Sequence, residues 1–508
     1  MADSAQVATP PLIRWIRLPL AIAAGGVMAL GLAPYDLWYL GFAGLVAAFW
    51  LFRAAPIGLF AVGTGWGVGL GYFGVALGWI VEPFMVDAAA TGWMAPFALF
   101  GMSGGLALFW ALAFWGAAHN RRAPLAALVL AWTAAELARA YVFTGFPWAL
   151  LGYMFLPIPA IQWASVVGPH GMTLLILTLA GLTVGAVSSQ TQRRKWAGAA
   201  ATLALALIAG GWAMTPAEQD MSDRPHIRLI QPNAEQHEKW DPRMIPVFFD
   251  RQIALTEALP EPGNPKPELI IWPETALPVM LERADDALRI VRDAAAGAQV
   301  VVGVQRGSDG TYFNSLALLN EQGQLAQVYD KHHLVPFGEY MPAAAIFQRW
   351  NIAGLAARAD GGYTAGPGPE LLDLGKLGAA LPLICYEAVF PQDVYRSPSR
   401  PDFLLQITND AWFGKWSGPY QHLSQARMRA IEQGLPMLRA ANTGVSAVID
   451  GAGRITAELG MGVAGKLDAP LPPPARVTVY SRFGDLPTLT FLIVLCFGLF
   501  RPRLRNSD

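Results

Sequence analysis

Blocks of apolar residues, separated by short polar breaks, fill the chain up to Met214, and one more block lies near the C-terminus. Several approach the length of about 20 residues that a helix needs to cross a bilayer, although the first two are shorter. A signal peptide would account for the first block but not for those that follow it. The pattern predicts eight transmembrane helices, near Leu18–Ala33, Leu37–Phe52, Ile57–Val81, Trp93–Ala118, Ala123–Val142, Gly168–Val187, Trp196–Met214 and Leu486–Phe500.

The interval between Asp220 and Phe483 has a different pattern, in which strand-like runs bounded by turns alternate with helical stretches. This alternation is typical of a layered α/β domain and not of a second membrane bundle. We predict a membrane domain over residues 1–219, an α/β domain over residues 220–483, and a last transmembrane helix with a tail over residues 484–508. The predicted strands are Ile227–Gln231, Leu269–Trp272, Val300–Val304, Leu325–Tyr329, Ala379–Ile384, Phe403–Ile407 and Val445–Ile449, and the predicted helices are Arg243–Leu259, Arg283–Ala296 and Gln421–Gln433.

The amino-acid composition agrees with a chain that lies partly in lipid. Of its 508 residues, 54% are hydrophobic and 14% are charged, whereas a soluble protein carries about 25% charged residues. The mean hydropathy is +0.35. A net charge of −1 argues against nucleic acid as a partner, and two cysteines cannot form a disulfide framework.

Basic residues between the predicted spans indicate the orientation of the chain. By the positive-inside rule, the loops that carry them are cytoplasmic. The opposite loops hold Asp36, Glu82 and Asp87, with no Lys or Arg close by. We therefore expect both termini in the cytoplasm and the α/β domain outside it, which requires an odd number of spans before that domain. The basic residues are Arg14, Arg17, Arg53, Arg121, Arg122, Arg193, Arg194, Lys195, Arg501, Arg503 and Arg505.

Two ionisable residues, Glu136 and Arg139, lie within the fifth predicted span. Ionisable groups inside a membrane usually pair with each other or serve a site. Because residues three apart share one face of a helix, we predict that these two form a structural ion pair.

Cys385 ends an apolar run that begins at Gly378, and Tyr386 and Glu387 follow it directly. The run is typical of a buried strand, and the residues after it can open a helix. Backbone N–H groups at such a junction would lower the pKa of the thiol and could hold an oxyanion. The alternative is a buried structural cysteine.

Glu274 and Lys331 also follow predicted strands. A partly desolvated glutamate at a strand end is suited to proton transfer, and a lysine would favour a thiolate and stabilise an oxyanion. Taken alone, each residue is equally typical of a surface salt bridge. His332 and His333 lack a pattern that completes a metal site, so we predict no metal. Residues 353–359 and 361–368 form a long loop, which is a candidate lid.

Taken together, these stretches resemble the carbon–nitrogen hydrolase (nitrilase) superfamily, in which Glu, Lys and Cys occur in this chain order. The resemblance implies an αββα sandwich, with Glu274 as general base, Lys331 as oxyanion stabiliser and Cys385 as nucleophile. Soluble members more often have Asp where this chain has Glu387. Within that superfamily, the local sequence motifs most resemble those of the apolipoprotein N-acyltransferase family. The segments that carry this resemblance are Trp272–Thr275, Pro336–Tyr340, Cys385–Glu387, Thr408–Gly414 and Arg439–Gly444.

The same resemblance implies further site residues. Glu339, Tyr386 and Glu387 are expected to support the active site. The residues expected on the substrate side are Trp240, Asn409 and Trp412. Trp148, in an uncharged aromatic loop, is a further candidate for the wall of the site, and anchoring at the membrane interface is the alternative for it. For Trp240 and Trp412, membrane-proximal or core packing is the alternative.

The reaction implied is transfer of an acyl chain from a membrane phospholipid, through a Cys385 thioester, to the α-amino group of the N-terminal diacylglyceryl-cysteine of an apolipoprotein. This is the last step of lipoprotein maturation at the bacterial inner membrane, with the catalytic domain in the periplasm and no cofactor. One alternative is a membrane-tethered amidase or nitrilase acting on small amides, which has no use for eight spans. The other is a non-enzymatic lipid-binding or scaffold protein with a degenerate hydrolase domain. It predicts loss of at least one of Glu274, Lys331 and Cys385, and all three are present.

Overall fold

A computed structural model of the chain describes residues 11–54, 58–260, 262–342 and 362–500. The chain divides into two compact units. The helical unit comprises Met1–Met214 together with Asp485–Asp508, and the α/β unit comprises Thr215–Gly484.

The helical unit contains a helix at each apolar block that the sequence pattern indicated. By length and apolarity, four stretches of the described residues are suited to cross a membrane: Leu59–Ala76, Ala88–Ala118, Pro159–Ser188 and Arg193–Met214. Three apolar helices are shorter, at Ile16–Ala29, Trp38–Arg53 and Leu486–Gly498. The helices of this unit are Pro11–Ala29, Trp38–Arg53, Leu59–Ala76, Glu82–Met85, Ala88–Thr91, Ala95–Ala118, Pro124–Tyr141, Ala164–Ser188, Arg193–Met214 and Leu486–Phe500.

The predicted ion pair between Glu136 and Arg139 is confirmed. Both side chains are fully buried, and Arg139 Nη2 lies 2.8 Å from Glu136 Oε2. Trp110 Nε1 donates to Glu136 Oε1 at 2.7 Å. Arg139 Nη1 donates to the carbonyl oxygens of Phe146 at 2.6 Å and Trp148 at 2.8 Å. The pair therefore holds the aromatic loop against its own helix.

In its described residues, the α/β unit has two six-stranded sheets, with strand orders β12-β1-β2-β3-β4-β5 and β11-β10-β9-β8-β7-β6. The strands are β1 His226–Gln231, β2 Leu269–Ile271, β3 Gln299–Ser308, β4 Thr311–Leu319, β5 Leu325–Asp330, β6 Leu372–Asp373, β7 Ala379–Ile384, β8 Phe403–Thr408, β9 Met437–Ala441, β10 Ser446–Ile449, β11 Ile455–Leu459 and β12 Gly465–Pro470. The centre of each sheet is parallel, because β1 pairs with β2, β2 with β3, β7 with β8 and β8 with β9 in that sense. The helices of this unit are Ile245–Glu257, Asp285–Ala295, Pro391–Tyr395, Gly418–Gln433 and Val479–Phe483.

Helices cover one face of each sheet, and the other faces meet. In the first sheet, Ile270 and Val302 pack in one apolar cluster with Val291 of the helix Asp285–Ala295. In the second, Leu404 packs with Ala426 of the helix Gly418–Gln433. The sheets are joined directly, since Ser446 Oγ of β10 donates to Gln231 Oε1 of β1 at 2.6 Å. The order of layers is helix, sheet, sheet, helix, so the α/β prediction for this unit is confirmed.

The candidate lid is described in part. Residues 353–359, and Gly361 after them, lie outside the described residues. The following segment is hydrogen-bonded through its backbone to the stretch of chain after β5. Tyr363 N donates to the Glu339 carbonyl at 2.8 Å, and Gly366 N donates to the Lys331 carbonyl at 2.9 Å. This segment therefore lies beside residues that the sequence assigns to the site.

Candidate active site

Glu274, Lys331 and Cys385 lie just beyond the C-terminal ends of β2, β5 and β7. All three are buried, with 6%, 1% and 5% of their surfaces exposed. Lys331 Nζ lies 3.6 Å from Glu274 Oε1. The charges of Glu274 and Lys331 both influence the pKa of the Cys385 thiol, which Glu274 raises and Lys331 lowers. The fold thus brings together three residues that are separated by more than fifty positions in the sequence.

The Glu274 carboxylate is held at both oxygens. Oε1 accepts a hydrogen bond from Asn314 Nδ2 at 2.7 Å, and Oε2 accepts one from the Asn409 backbone N–H at 2.8 Å. The turn that carries Glu274 is fixed from behind by Lys239. The Lys239 ammonium donates to the Glu274 carbonyl oxygen at 3.1 Å and to Thr275 Oγ1 at 2.6 Å. Burial lowers the pKa of Lys239 to about 8, although the charge of Glu274 opposes this.

Lys331 contacts a second carboxylate more closely than it contacts Glu274. Its Nζ lies 2.8 Å from Glu339 Oε1, and Asn314 Nδ2 donates to the same oxygen at 3.0 Å. The Val335 backbone N–H donates to the other oxygen, Oε2, at 2.8 Å. Burial acts to lower the pKa of Lys331, but the charges of Glu339 and Glu274 outweigh it and raise that pKa above its usual range. Lys331 is therefore a permanent positive charge in the site.

Cys385 begins a short 3-10 helix, Cys385–Val389, and its backbone φ is +53°. Burial raises the pKa of its thiol, the charge of Glu274 raises it further, and Lys331 only partly opposes them. The expectation of a lowered thiol pKa is therefore wrong for this site, because the loss of water outweighs the local positive charge. The thiol carries its proton at rest, so a nucleophilic role requires a base beside it.

Glu387 joins the end of β7 to the segment that follows β5. Its Oε2 accepts from the Ile384 N–H at 2.6 Å, and its Oε1 accepts from the His332 N–H at 2.8 Å and from Tyr329 Oη at 2.9 Å. The neighbouring Tyr386 is buried. Glu387 therefore fixes the approach of the chain to both Lys331 and Cys385.

The ring of His332 lies between two carboxylates. Nδ1 is 2.6 Å from Glu387 Oε1, and Nε2 is 3.7 Å from Asp393 Oδ2. Burial acts to lower the pKa of His332, but hydrogen bonds and charge from Asp393 and Glu387 outweigh it and raise that pKa to about 10. Among the described residues there is no group of three or more His, Cys, Asp or Glu side chains that could hold a metal ion.

The residues expected on the substrate side differ in exposure. Trp240 and Trp412 are 42% and 38% exposed, so neither is a core residue, whereas Asn409 is buried. A cavity lined by Trp240, Phe248, Thr275 and further apolar and polar residues lies beside the Glu274 turn. Trp148 belongs to the helical unit, where its ring is fully buried and lies 4.5 Å from that of Trp79 between centroids.

Two residues in contact with Glu274 were not indicated by the sequence. Asn314 lies on β4 and is 2% exposed, and its amide nitrogen bridges the carboxylates of Glu274 and Glu339. Lys239 is 8% exposed and fixes the Glu274 turn. A signal existed for Asn314, because an amide stands two residues before the apolar run Leu316–Leu319. Nothing in the sequence around Lys239 distinguishes it from a solvated lysine.

Comparison with known proteins connects both units to one family. A family model described as the apolipoprotein N-acyltransferase N-terminal domain matches residues 24–182, and one described as carbon-nitrogen hydrolase matches residues 252–473. A protein of Rhodopseudomonas palustris named apolipoprotein N-acyltransferase is 37% identical, over 97% of this chain and 96% of that protein. One of the same name from Brucella melitensis biotype 1 is 36% identical, over 95% of this chain and 94% of that protein. Among solved structures, an amidase from Nesterenkonia sp. is 21% identical and covers 51% of this chain and 94% of its own, with a TM-score of 0.35. The chain belongs to the apolipoprotein N-acyltransferase family.

Proposed function

We propose that this chain transfers an acyl chain from a membrane phospholipid to the α-amino group of the N-terminal diacylglyceryl-cysteine of apolipoproteins, through a thioester on Cys385. One observation carries the proposal. Glu274 and Lys331 lie 3.6 Å apart and their charges influence the pKa of the Cys385 thiol, in a chain that is 37% identical, over nearly its whole length, to a protein named apolipoprotein N-acyltransferase.

In the first half-reaction, Glu274 takes the proton of the Cys385 thiol, and the sulfur attacks the carbonyl carbon of a phospholipid ester. Lys331 stabilises the negative charge that develops on the carbonyl oxygen. When the tetrahedral intermediate collapses, the ester C–O bond breaks and Glu274 returns its proton to the leaving oxygen. The products are the Cys385 thioester and a lysophospholipid.

In the second half-reaction, the α-amino group of the acceptor cysteine attacks the thioester carbonyl. Glu274 takes a proton from the attacking amine, and Lys331 again stabilises the oxyanion. The C–S bond breaks, the sulfur regains a proton from Glu274, and the product is an amide. Exclusion of water from the buried thioester favours the amine over hydrolysis.

In this proposal Glu339 holds Lys331 in place while Glu274 exchanges protons. The 2.8 Å contact of Lys331 with Glu339 is shorter than its 3.6 Å contact with Glu274. Tyr386 and Glu387 support the nucleophile. Asn409 fixes the base through its backbone N–H, and Trp240, Trp412 and Trp148 contact the substrates.

The membrane organisation follows from the substrates, because both carry acyl chains and reside in a bilayer. We propose eight transmembrane helices in a bacterial inner membrane, with both termini cytoplasmic and the catalytic unit periplasmic. Residues 1–219 would form the membrane domain, residues 220–483 the catalytic domain, and residues 484–508 the last span and tail. The stretches suited to span a membrane and the distribution of basic residues support this arrangement.

The second predicted function, a membrane-tethered amidase or nitrilase acting on small amides, is not favoured. Relatives that match nearly the whole chain, including the helical unit, are named apolipoprotein N-acyltransferase. An enzyme that acts on small water-soluble amides needs no such helical unit.

Reconstitution tests the proposal directly. The purified full chain is placed in phospholipid vesicles with a synthetic diacylated lipopeptide, and the lipopeptide mass is followed. We expect a gain of one acyl chain with wild type, none with Cys385→Ala, and an unchanged gain with Cys496→Ala, which removes the other free cysteine. Hydrolysis of a small amide without any gain in lipopeptide mass would favour the amidase instead.

A further inference from the structure

A cluster of polar side chains lies beneath Cys385 and has no part in the steps described above. Its members are Gln406 on β8, Arg439 on β9, His422 on the helix Gly418–Gln433, and Asp410 just after β8. All four side chains are fully buried. Buried charges that carry no chemistry are costly unless they are closely paired, so the arrangement of this cluster needs an explanation.

Two members of the cluster contact the backbone carbonyl oxygen of Cys385, and the other two hold those members. Gln406 Nε2 donates to this oxygen at 3.2 Å, and His422 Nε2 lies 3.0 Å from it. Arg439 Nη1 donates to Gln406 Oε1 at 2.6 Å. Because that contact assigns the Gln406 oxygen, the amide nitrogen must face Cys385.

His422 is oriented by a charged partner. Its Nδ1 lies 2.9 Å from Asp410 Oδ1, and Arg439 Nη2 donates to the other Asp410 oxygen. Burial lowers the pKa of His422, and the charge of Arg439 lowers it further, while Asp410 opposes them. In the neutral ring, Nδ1–H donates to Asp410 and Nε2 accepts from Gln406 Nε2 at 3.0 Å. In the protonated ring, Nε2 donates to the Cys385 carbonyl. The carbonyl therefore has a donor in either state.

The backbone conformation of Cys385 is the feature that these contacts to its carbonyl stabilise. A φ of +53° is a conformation that residues with a Cβ adopt rarely. Rotation of Cys385 to the ordinary right-handed region would turn its carbonyl away from Gln406 and His422 and would move its sulfur. On the other side of the residue, Glu387 Oε2 holds the Ile384 N–H at 2.6 Å. The nucleophile is thus held on both sides.

We propose that His422, together with Asp410 and Gln406, is a positioning residue that holds the Cys385 peptide in its left-handed conformation and keeps the sulfur beside Glu274 and Lys331. The inference rests on the proposed function only in taking Cys385 as the nucleophile. It concerns the rate at which the sulfur is acylated and not the binding of the lipid.

Two substitutions of His422 distinguish the contacts of its Nδ1 from those of its Nε2. His422→Asn places its amide where Nδ1 lies, so it can keep Asp410 but can reach neither Gln406 nor the Cys385 carbonyl. His422→Gln places its amide where Nε2 lies and can reach that carbonyl. We expect His422→Asn to lower kcat for acyl-enzyme formation from a labelled phospholipid by roughly 100-fold, the effect of displacing a reacting atom by about 1 Å, with KM within twofold of wild type. His422→Gln should recover most of this loss.

Alkylation of Cys385 by iodoacetamide, followed by peptide mass spectrometry on the full chain, provides a readout that needs no lipid. Its rate should change with His422→Asn and return towards wild type with His422→Gln. If His422→Asn does not fold, Gln406→Met is measured instead, because it removes the other donor to the Cys385 carbonyl. The same loss of kcat and the same change in alkylation rate are expected. Asp468→Asn is the matched control, because it breaks a buried ion pair with Arg228 that has no contact with Cys385.

The proposal is overturned if His422→Asn lowers only the melting temperature, as Asp468→Asn does, and leaves kcat and the alkylation rate of the folded protein unchanged. Equal kcat for the Asn and Gln variants would also overturn it. If wild type transfers no acyl chain but its alkylation still depends on His422 in this way, the proposed function fails and the positioning role stands.

Discussion

Each unit of this protein buries a cluster of carboxylates and cations, and the two clusters differ in their charge balance. In the helical unit, one guanidinium, Arg139, meets one carboxylate, Glu136, and its remaining hydrogen bonds are to backbone carbonyls. In the α/β unit, one ammonium, Lys331, meets two carboxylates, Glu339 at 2.8 Å and Glu274 at 3.6 Å. Both clusters avoid the cost of an isolated buried charge.

The difference separates a structural cluster from a reactive one. In a one-to-one pair the carboxylate cannot serve as a base, because its protonation would leave the buried cation without a counter-charge. With two carboxylates, Glu339 neutralises Lys331 while Glu274 remains able to accept a proton. The adjacent Cys385 thiol, whose pKa is raised by burial and by Glu274, supplies that proton. The charge ratio is thus a physical reason to place the base at Glu274.

The largest effect is expected when the available carboxylate is removed. Glu274→Gln keeps the shape of the side chain but cannot take a proton, and should slow formation of the acyl-enzyme by about 10²- to 10⁴-fold. The measurement is the burst of lysophospholipid from vesicles in a rapid-quench experiment. Glu339→Gln is the matched comparison: it leaves Lys331 and Glu274 as a one-to-one pair, so it should also slow this step, but by less than the loss of the base itself. A normal burst in Glu274→Gln would remove Glu274 from the role of base.

The next effect concerns the amide that holds both carboxylates. Asn314→Leu removes two hydrogen bonds to charged oxygens, each worth about 1.5–3 kcal/mol, and leaves Glu274 and Glu339 free to repel each other. We expect kcat to fall by roughly 10- to 100-fold, with a smaller change in KM. Asn320→Ala, on the turn after the same strand, should leave kcat unchanged. Equal turnover by Asn314→Leu and wild type would show that Glu274 does not depend on this bridge.

Substitutions in the Glu136–Arg139 pair of the helical unit should change the stability of the protein. Arg139→Met strands the buried Glu136 carboxylate, which typically costs about 3–5 kcal/mol, and should lower the melting temperature of the full chain in detergent. Adding Glu136→Gln should recover much of the loss, because no charge is then left unpaired. A double variant no more stable than Arg139→Met would contradict a one-to-one structural pair.

The smallest effect is a dependence of stability on pH near the active site. The pKa of His332 is raised from its ordinary 6.5 to about 10, because Asp393 and Glu387 outweigh burial. A group whose pKa is higher in the folded state stabilises the fold fully below its unfolded pKa, and this contribution is lost as the pH rises through the folded value. The difference in melting temperature between wild type and His332→Gln should therefore be largest near pH 6 and should disappear by about pH 10. A difference independent of pH would mean that packing, and not charge, holds this ring.

Much of the fold followed from periodicity, because long apolar blocks and buried parallel strands carry strong local signals. The prediction for β7, Ala379–Ile384, agrees with the structure, and those for β1 and β8 differ by one residue. The strands β4, β6, β9, β11 and β12 were missed. Arg439 in the middle of β9 disrupts an apolar pattern, and its burial depends on partners from β8 and from the turn after it.

The three residues proposed for catalysis were singled out because each lies just after a predicted strand, and their roles came from the resemblance to the carbon–nitrogen hydrolase superfamily. Their surroundings were not indicated, because these depend on contacts between segments that are distant in the chain. Asn314 reaches Glu274 across 40 positions, and His422 reaches the Cys385 carbonyl across 37. The pKa of Cys385 was predicted in the wrong direction for a related reason, since the sequence indicates the charge of Lys331 but not how completely the fold removes water from the sulfur.

The central claim is that Cys385 carries the acyl chain between donor and acceptor. Its most direct test is peptide mass spectrometry of the full chain after incubation with isotopically labelled phospholipid and no acceptor. We predict the labelled acyl group on the peptide that contains Cys385, its release by hydroxylamine, and its transfer to a diacylated lipopeptide added afterwards. Label on any other residue, or transfer by Cys385→Ala at the wild-type rate, would contradict the account.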